Sequence, residues 1–321
     1  MLNRDAKIYI AGHTGLVGST VLRRLEGGGY SNLVYQDERE LDLTDPQATE
    51  AWFALKRPEA VVLAAAKVGG IRANDTFPAD FIRVNLQIQT NVIDAAHRHG
   101  VAKLLFLGSS CIYPKHAPQP MREEHLLSGP LEPTNDAYAI AKIAGLVMCK
   151  SYNRQHGTNF VAAMPTNLYG PGDSFDLEHS HVLPAMIRKF HQAKTSRNDT
   201  VELWGTGTPR REFLFVDDLA DALVFLLERF DVSQQNREGF PFVNVGVGED
   251  VTIAELAAIV QEVVGFDGEV IWNRDMPDGT PRKLLDVSRL NALGWRAQTS
   301  LRDGIQQTYT WFQQSPWAAA D

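Results

Sequence analysis

The feature that most narrows the fold is a glycine-rich turn set between a strand and a helix near the start of the chain. Lys7–Ala11 (KIYIA) is a short apolar run, and Gly12-His13-Thr14-Gly15-Leu16-Val17-Gly18 follows it directly. Apolar residues then recur at Leu16, Val17, Val21, Leu22 and Leu25, the spacing of one helix face, until Gly27-Gly28-Gly29 stops the run. Glycines in G-x-x-G-x-x-G let the backbone turn tightly and come close to a pyrophosphate. The start of the following helix presents unpaired N–H groups to its charge. Such a turn is weak evidence alone; a strand before it and a helix after it make it specific.

The alternation continues. Strands are predicted at Asn32–Tyr35, Ala60–Ala65, Lys103–Leu107 and Asn159–Met164, and helices at Thr44–Lys56, Asp80–His99 and about Ala137–His156. Strand and helix taking turns predict an α/β protein: a Rossmann-type doubly wound parallel sheet with right-handed crossovers. After Met164 the pattern loosens. Pro165–Gly172 and Asp173–His181 read as loop, Val182–Gln192 as a short helix and Thr195–Thr200 as an exposed polar stretch. Phe213–Phe215, Val216–Arg229, Phe242–Val245, Thr252–Val264, Glu269–Trp272 and Leu301–Phe312 resume the alternation with longer loops. A boundary is therefore expected near Pro165. Residues 1–165 form the dinucleotide-binding domain, and 166–321 form mainly a smaller α/β substrate-binding domain, with segments near 213–246 returning to the first.

Composition excludes several classes of function. A formal charge of −8 argues against a nucleic-acid partner or an anionic membrane surface. The chain shows no apolar run near the ~20 residues that span a bilayer and no basic, apolar leader. The only cysteines, Cys111 and Cys149, make no disulfide framework and suit a reducing compartment. A cytoplasmic globular protein without a metal site is expected.

The chemistry gathers at Leu107–Pro114 (LGSSCIYP), at the carboxyl end of the predicted fourth strand, where open parallel sheets bind ligands. Ser109, Ser110 and Cys111 stand there side by side. Downstream, Tyr138 and Lys142 are four residues apart in a helical run and share one face. A phenol with pKa near 10 is poorly poised at neutral pH. An ammonium ~4 Å away favours phenolate by roughly 4 kcal/mol at an effective dielectric of 20, about three pKa units. Alone, such a pair is usually an ordinary helix-surface contact; beside the glycine turn and the serines it reads as a general acid–base couple.

These motifs together resemble the extended short-chain dehydrogenase/reductase family. The resemblance spans nearly the whole chain through Ala64–Arg72 (AAAKVGGIR), Leu107–Lys115, Leu131–Asn135 (LEPTN), Tyr138–Gly145 and Met164–Gly172. It continues through Ser180–Pro184, Trp204–Gly207 with Arg211–Phe213, and Pro277–Val287. Within the family the chain is similar to enzymes that invert C3 and C5 of a GDP-linked 4-keto sugar and then reduce C4. By matching motif, that implies Ser109, Tyr138 and Lys142 as the reductase set, with Cys111 as base and His181 as acid for the inversions. It further implies a cofactor site at Gly12, Thr14, Gly15, Leu16, Val17, Gly18, Glu38, Arg39, Asp42, Leu43, Ala64 and Ala65. The same site takes in Leu107, Gly108, Ser110, Lys142, Pro165, Thr166, Asn167, Leu168 and His181. Lys189, Trp204, Arg211 and Lys283 are implied to hold the GDP-sugar substrate. Lys189 stands where the family leads one to expect Arg. A homodimer through the helices at Asp80–His99 and Ala137–His156 is implied as well.

The family generally uses NADP, whose 2′-phosphate needs a cation near the end of the second strand. Relatives carry Arg where this chain has Thr14 and Glu38. Here the strand runs into Tyr35-Gln36-Asp37-Glu38-Arg39. Asp37 and Glu38 suit the ribose hydroxyl of NAD, while Arg39 suits the phosphate of NADP; NADP is the expectation, with NAD left open. The rival functions are a 4-epimerase or dehydratase of the same fold, which has no use for Cys111 paired with His181, and a non-catalytic nucleotide-binding module. The intact Ser109, Tyr138 and Lys142 set argues against the module.

Overall fold

The computed structural model describes residues 2–177, 180–232, 241–276 and 278–319. Three parts of the sequence reading therefore lie outside the described residues: positions 178–179 of the expected loop, 233–240 of the returning segment, and Pro277 at the head of its motif. In chain order the elements begin with β1 (Ile8–Ala11), α1 (Leu16–Gly27), β2 (Leu33–Val34), α2 (Pro46–Lys56) and β3 (Ala60–Leu63). They continue with α3 (Ile71–Thr76), α4 (Pro78–Arg98), β4 (Lys103–Leu107), α5 (Asp136–His156), β5 (Phe160–Pro165), β6 (Asn167–Tyr169), α6 (Val182–Thr195) and β7 (Thr200–Trp204). The remainder are β8 (Arg210–Arg211), β9 (Phe213–Phe215), α7 (Val216–Arg229), β10 (Phe242–Val245), β11 (Val251–Thr252), α8 (Ile253–Val264), β12 (Glu269–Asn273), β13 (Arg282–Lys283), α9 (Ser288–Leu293) and α10 (Leu301–Gln314).

The central sheet is parallel throughout, in the order β2-β1-β3-β4-β5-β10. The chain moves outward from β1 to β2 and then returns past β1 to add β3 and the rest on the other side. The order therefore reverses between β1 and β3, and the crevice at their carboxyl ends is a ligand site by topology. Strand alternation sorts the core into two layers. Tyr9, Ala11, Val61, Leu104, Phe106 and Phe160 pack with Trp52, Val92, Ile93 and Leu146 of α2, α4 and α5. Ile8, Ile10, Val62, Leu105 and Val161 pack on the opposite face with Val21 and Leu25 of α1 and Leu219, Leu223 and Leu226 of α7. A third core joins α6, α8 and α10 through Phe190, Leu256, Val260, Ile305 and Phe312. Helix starts follow local chemistry: Asp45 caps Gln47 and Ala48 with Pro46 at the first position of α2, and Thr252 and Glu255 form a reciprocal box at α8.

The first half matches the sequence reading closely apart from the short helix α3, and the second half departs from it in short pieces. The expected loop Pro165–Gly172 contains β6, which pairs with β9 in a ribbon separate from the main sheet. Thr200, expected at the end of an exposed polar stretch, begins β7, whose alternation buries Val201 and Leu203. The strands β8, β11 and β13 are two residues each, too short for any periodicity to mark them. No described helix is long and apolar enough to cross a membrane.

Candidate active site

The glycine turn is built for close approach. Gly12 has φ of +87°, and a Cβ there would stand 2.7 Å from the Ala65 nitrogen; one on Gly18 would stand 2.0 Å from the Gly12 oxygen. Ala64 N donates to Ala11 O at 3.0 Å, so the turn and the end of β3 are stitched together at the switch point. Gly15 caps α1 with no side-chain acceptor, which leaves the first amides of the helix for an anion. These features fit a dinucleotide pyrophosphate. Gly12–Gly18, Ala64 and Ala65, Leu107–Ser110 and Pro165–Leu168 all lie at or just beyond the carboxyl ends of β1, β3, β4 and β5, so the structure brings these expected cofactor residues to one edge.

Beyond β2 the picture is more divided. The His13 ring stacks on Tyr35 at 4.5 Å, and Asp37 Oδ1 accepts the amides of Arg39 and Glu40 at 2.9 and 3.0 Å. That oxygen is committed to the turn, while Glu38 and Arg39 are exposed. Asp42 binds the amide and hydroxyl of Thr44 at 2.8 and 2.7 Å, and Leu43 is buried with its carbonyl on Asn91.

The first helical turns of α5 carry Tyr138 and Lys142 over the end of β4. Gln89 of α4 donates to Ala141 O at 2.6 Å, and Gly145 lets the Phe106 ring approach where a Cβ would stand 2.5 Å away. Lys142 is buried, and its Nζ donates to Leu107 O at 2.9 Å. It lies 5.7 Å from the centre of the Tyr138 ring. Burial pushes the lysine pKa down to about 7. Burial also pushes Tyr138 well above its ordinary range, charge on Cys111 adds to the rise, and a hydrogen bond with Ser109 opposes it. This corrects the electrostatic expectation from the sequence. Lys142 is tied to a carbonyl and does not lower the phenol; the protonated form of Tyr138 is the favoured one.

Cys111 sits in a short 3-10 turn (Ser110–Ile112) whose start is capped by the Ser109 hydroxyl, which accepts Cys111 N at 3.3 Å. The half-buried sulfur accepts two side-chain donors, Asn135 Nδ2 at 3.4 Å and Lys283 Nζ at 3.7 Å. Such donors suit sulfur carrying negative charge. His181 stands at the start of α6, open to solvent at its edge yet crowded by protein around the ring. Burial lowers its pKa, and the Lys283 ammonium lowers it further. Lys283 is thus the cation within reach of both the thiol and the imidazole.

Four cations on two neighbouring strands are sorted by strand geometry. β8 and β13 run parallel with Arg282 opposite Arg210 and Lys283 opposite Arg211. Paired residues project to one face and their neighbours to the other. On one face Arg210 and Arg282 both bind the carboxylate of Asp250, at 2.7 and 2.5 Å. On the other, Lys283 reaches Cys111, and burial lowers the pKa of Arg211 with Asp278 opposing. Next to Arg211, Glu212 is fully buried and accepts amides of Val247, Gly248 and Leu285 at 2.6, 2.7 and 3.0 Å. Its own carbonyl accepts Asn167 Nδ2 at 2.7 Å and Thr166 Oγ1 at 3.3 Å. One residue therefore joins the end of β5, the loop after β10 and the segment after β13. Sequence reasoning passed over Asp250 and Glu212; the only signal was an acid embedded in the run Arg210–Phe215 and another just before β11.

Of the expected substrate residues, Arg211 and Lys283 lie together, while Lys189 and Trp204 form a separate pair. The Lys189 ammonium donates to Glu202 O at 3.0 Å and sits 5.6 Å over the Trp204 ring, which is 57% exposed.

The pattern defining the NAD dependent epimerase/dehydratase family matches residues 8–246. The chain belongs to that family. Within it, the chain is 58% identical to a protein named GDP-L-fucose synthase 1 of Arabidopsis thaliana, over 97% of this chain and 94% of the relative. It is 53% identical to the GDP-L-fucose synthase of Escherichia coli K12, over 95% of this chain and 96% of the relative. Among solved structures, a GDP-D-glycero-L-gluco-heptose synthase of Campylobacter jejuni, crystallised in the presence of NADPH, superposes with a TM-score of 0.92 at 38% identity. That alignment covers 98% of this chain and all of the other.

Proposed function

We propose that this member of the epimerase/dehydratase family converts GDP-4-keto-6-deoxy-D-mannose to GDP-L-fucose, inverting C3 and C5 and then reducing C4 with NADPH. The observation that carries the reading is the half-buried Cys111 thiol, within reach of Asn135 and Lys283 and placed beside Ser109, Tyr138 and the buried Lys142. The near-full-length identity to proteins named GDP-L-fucose synthase supports it.

The protons on C3 and C5 are acidic because the charge left behind spreads onto the C4 oxygen. Cys111 as thiolate takes such a proton and becomes a thiol. His181, protonated, gives a proton to the opposite face of the carbon and becomes neutral. Exchange of one proton from sulfur to imidazole through solvent restores both groups for the second centre. Ser109 and Tyr138 hydrogen-bond the C4 oxygen and hold its developing charge. The Gly12–Gly18 turn and the Leu107–Ser110 edge would hold the nicotinamide cofactor, which would supply hydride to C4. Tyr138 then gives its phenolic proton to the new alkoxide, and burial together with charge on Cys111 keeps that proton in place until it is needed. Lys142 fixes the helix over the strand end and binds the nicotinamide ribose. Arg211 neutralises the diphosphate of the substrate, with Lys189 and Trp204 holding the nucleotide portion. Arg39 is the cation for the cofactor 2′-phosphate.

Residues 1–165 form the cofactor-binding domain in this reading and 166–321 mainly the substrate domain, with α7 and β10 returning to the first; the packing of Leu219 and Leu223 on β1 and of β10 on β5 supports the return. The protein works as a dimer in the cytoplasm. Ile140 and Val147 of α5, 47% and 40% exposed and two turns apart, supply an apolar stripe for the dimer contact, and the two free cysteines suit the compartment. The test is to supply GDP-4-keto-6-deoxy-D-mannose with NADPH or NADH and follow nicotinamide absorbance and the sugar formed. NADPH consumption with GDP-L-fucose as product is the expected result; no consumption with either cofactor sinks the reading.

A further inference from the structure

Asn135 is the first residue before α5, the position where an asparagine side chain ordinarily accepts a free amide of its own helix. Here it makes no such cap. Its Nδ2 instead donates to Cys111 Sγ at 3.4 Å, and its Oδ1 is buried with no hydrogen-bond partner among the described residues. The side chain lines the same cavity as Cys111, Lys283 and Thr280. A buried acceptor left unpaired in a site that receives a polyhydroxylated sugar is an acceptor waiting for a ligand donor. The residue has given up a stabilising cap to face the thiol with one end and the cavity with the other.

We infer that Asn135 is a catalytic residue of the epimerase half-reaction, holding the Cys111 sulfur with Nδ2 and accepting a hydroxyl of the bound hexose with Oδ1. The inference rests on the assignment of Cys111 as the base in the proposed function. When sulfur carries negative charge, the Asn135 amide N–H and the Lys283 ammonium both favour it. As the sulfur takes a proton from carbon, its charge passes to the sugar oxygen, and the Oδ1 bond keeps the ring in register for that transfer.

The test separates the two half-reactions. Without NADPH, wild-type protein, Asn135→Ala and Asn135→Asp are given the 4-keto sugar nucleotide in deuterated water, and deuterium at C3 and C5 is followed. With NADPH, each is given the sugar already inverted at both centres, so that only reduction is read. Asn135→Ala should lose tenfold or more in the kcat of exchange and raise the KM of both half-reactions, while the kcat of reduction falls far less than that of exchange. Asn135→Asp keeps an acceptor but loses the donor, so its kcat for exchange should fall with little change in KM. Alkylation of Cys111 by iodoacetamide at pH 7 should slow several-fold in both variants; the buried Cys149 does not compete. Wild-type exchange in Asn135→Ala overturns the inference. So does an equal loss of kcat in both half-reactions, the result expected if the residue only steadies α5. Absence of exchange in the wild-type protein would instead strike at the assignment of Cys111 itself, a distinct failure.

Discussion

The proposed reductase and epimerase halves of the site differ in how far the chain must travel to build them. Lys142 is fixed to Leu107 across 35 residues, from one strand end to the next helix, and both of these residues are buried. Lys283 reaches Cys111 across 172 residues, on a two-residue strand whose position depends on Glu212 and Asp250. Burial tunes the first half, raising a phenol and lowering an amine with little help from neighbouring charge. In the second, burial is again the larger cause at the imidazole, and the Lys283 ammonium that donates to the thiol adds to it. Two kinds of chemistry thus share one cleft while resting on different physical supports, and that makes them separable by substitution.

The sharpest break between the halves is Tyr138→Phe. Removing a positioned general acid typically costs 10²–10⁴-fold, so NADPH oxidation should fall by about 10³-fold, while deuterium exchange at C3 and C5, which loses one of the two donors to the C4 oxygen but keeps Ser109, should fall less, by about tenfold. If exchange fell as far as reduction, the two halves would not be independent and the comparison would fail. Cys111→Ser is the complementary break. A serine hydroxyl is far less acidic than a thiol, so exchange should drop by about 10²-fold or more. Reduction of the inverted keto sugar should persist, measured by nicotinamide absorbance.

Lys283→Met sharpens the electrostatic side and should have a smaller effect, on the order of tenfold in exchange. Its signature is the pH profile. Burial is the larger cause of the lowered His181 pKa and remains in the variant; the second cause, the Lys283 charge, is removed. The histidine therefore stays protonated to higher pH, and the alkaline limb of the exchange profile should move upward. A profile that falls in height without moving would mean that Lys283 acts on the sulfur or the substrate and not on His181.

The same contrast explains what the sequence could and could not reveal. The cofactor half was legible because its signals are local: the glycine turn, the strand at Lys103–Leu107 and helix α5 each announce themselves within a few turns of chain. Motif resemblance named Cys111, His181, Arg211 and Lys283, but not how they meet. The strands that align Arg211 with Lys283 are two residues long and carry no periodicity, and the sorting of Arg210 and Arg282 onto Asp250 appears only once β8 lies against β13. The reversed tuning of Tyr138 was also hidden. Four-residue spacing promised an ammonium beside the phenol, whereas the backbone places the Leu107 carbonyl where Lys142 can bind it. Burial of Glu212 could not be read from a charged residue flanked by arginine and phenylalanine.

The smallest expected effect concerns the buried lysine of the reductase half and tests the claim that burial tunes it. In the folded protein the Lys142 pKa is about 7, against ~10.4 in an unfolded chain. Between those values the unfolded state holds a proton that the folded state lacks, so stability should rise with pH across the window. Lys103, lowered by burial to about 8 with Asp231 opposing, works in the same direction over a narrower range. The raised tyrosines reverse the trend only above pH ~10, where unfolded phenols ionise. Thermal melts of the protein without cofactor should therefore show Tm rising by a few degrees between pH 7 and 9.5. Lys142→Met, which keeps the stem and removes the amine, should flatten most of that rise, and Lys103→Met a lesser part. A wild-type Tm that does not rise over this window would mean that the Lys142 amine keeps its proton in the folded state. The reductase half would then be tuned by charge after all, and Tyr138 would sit beside an ammonium.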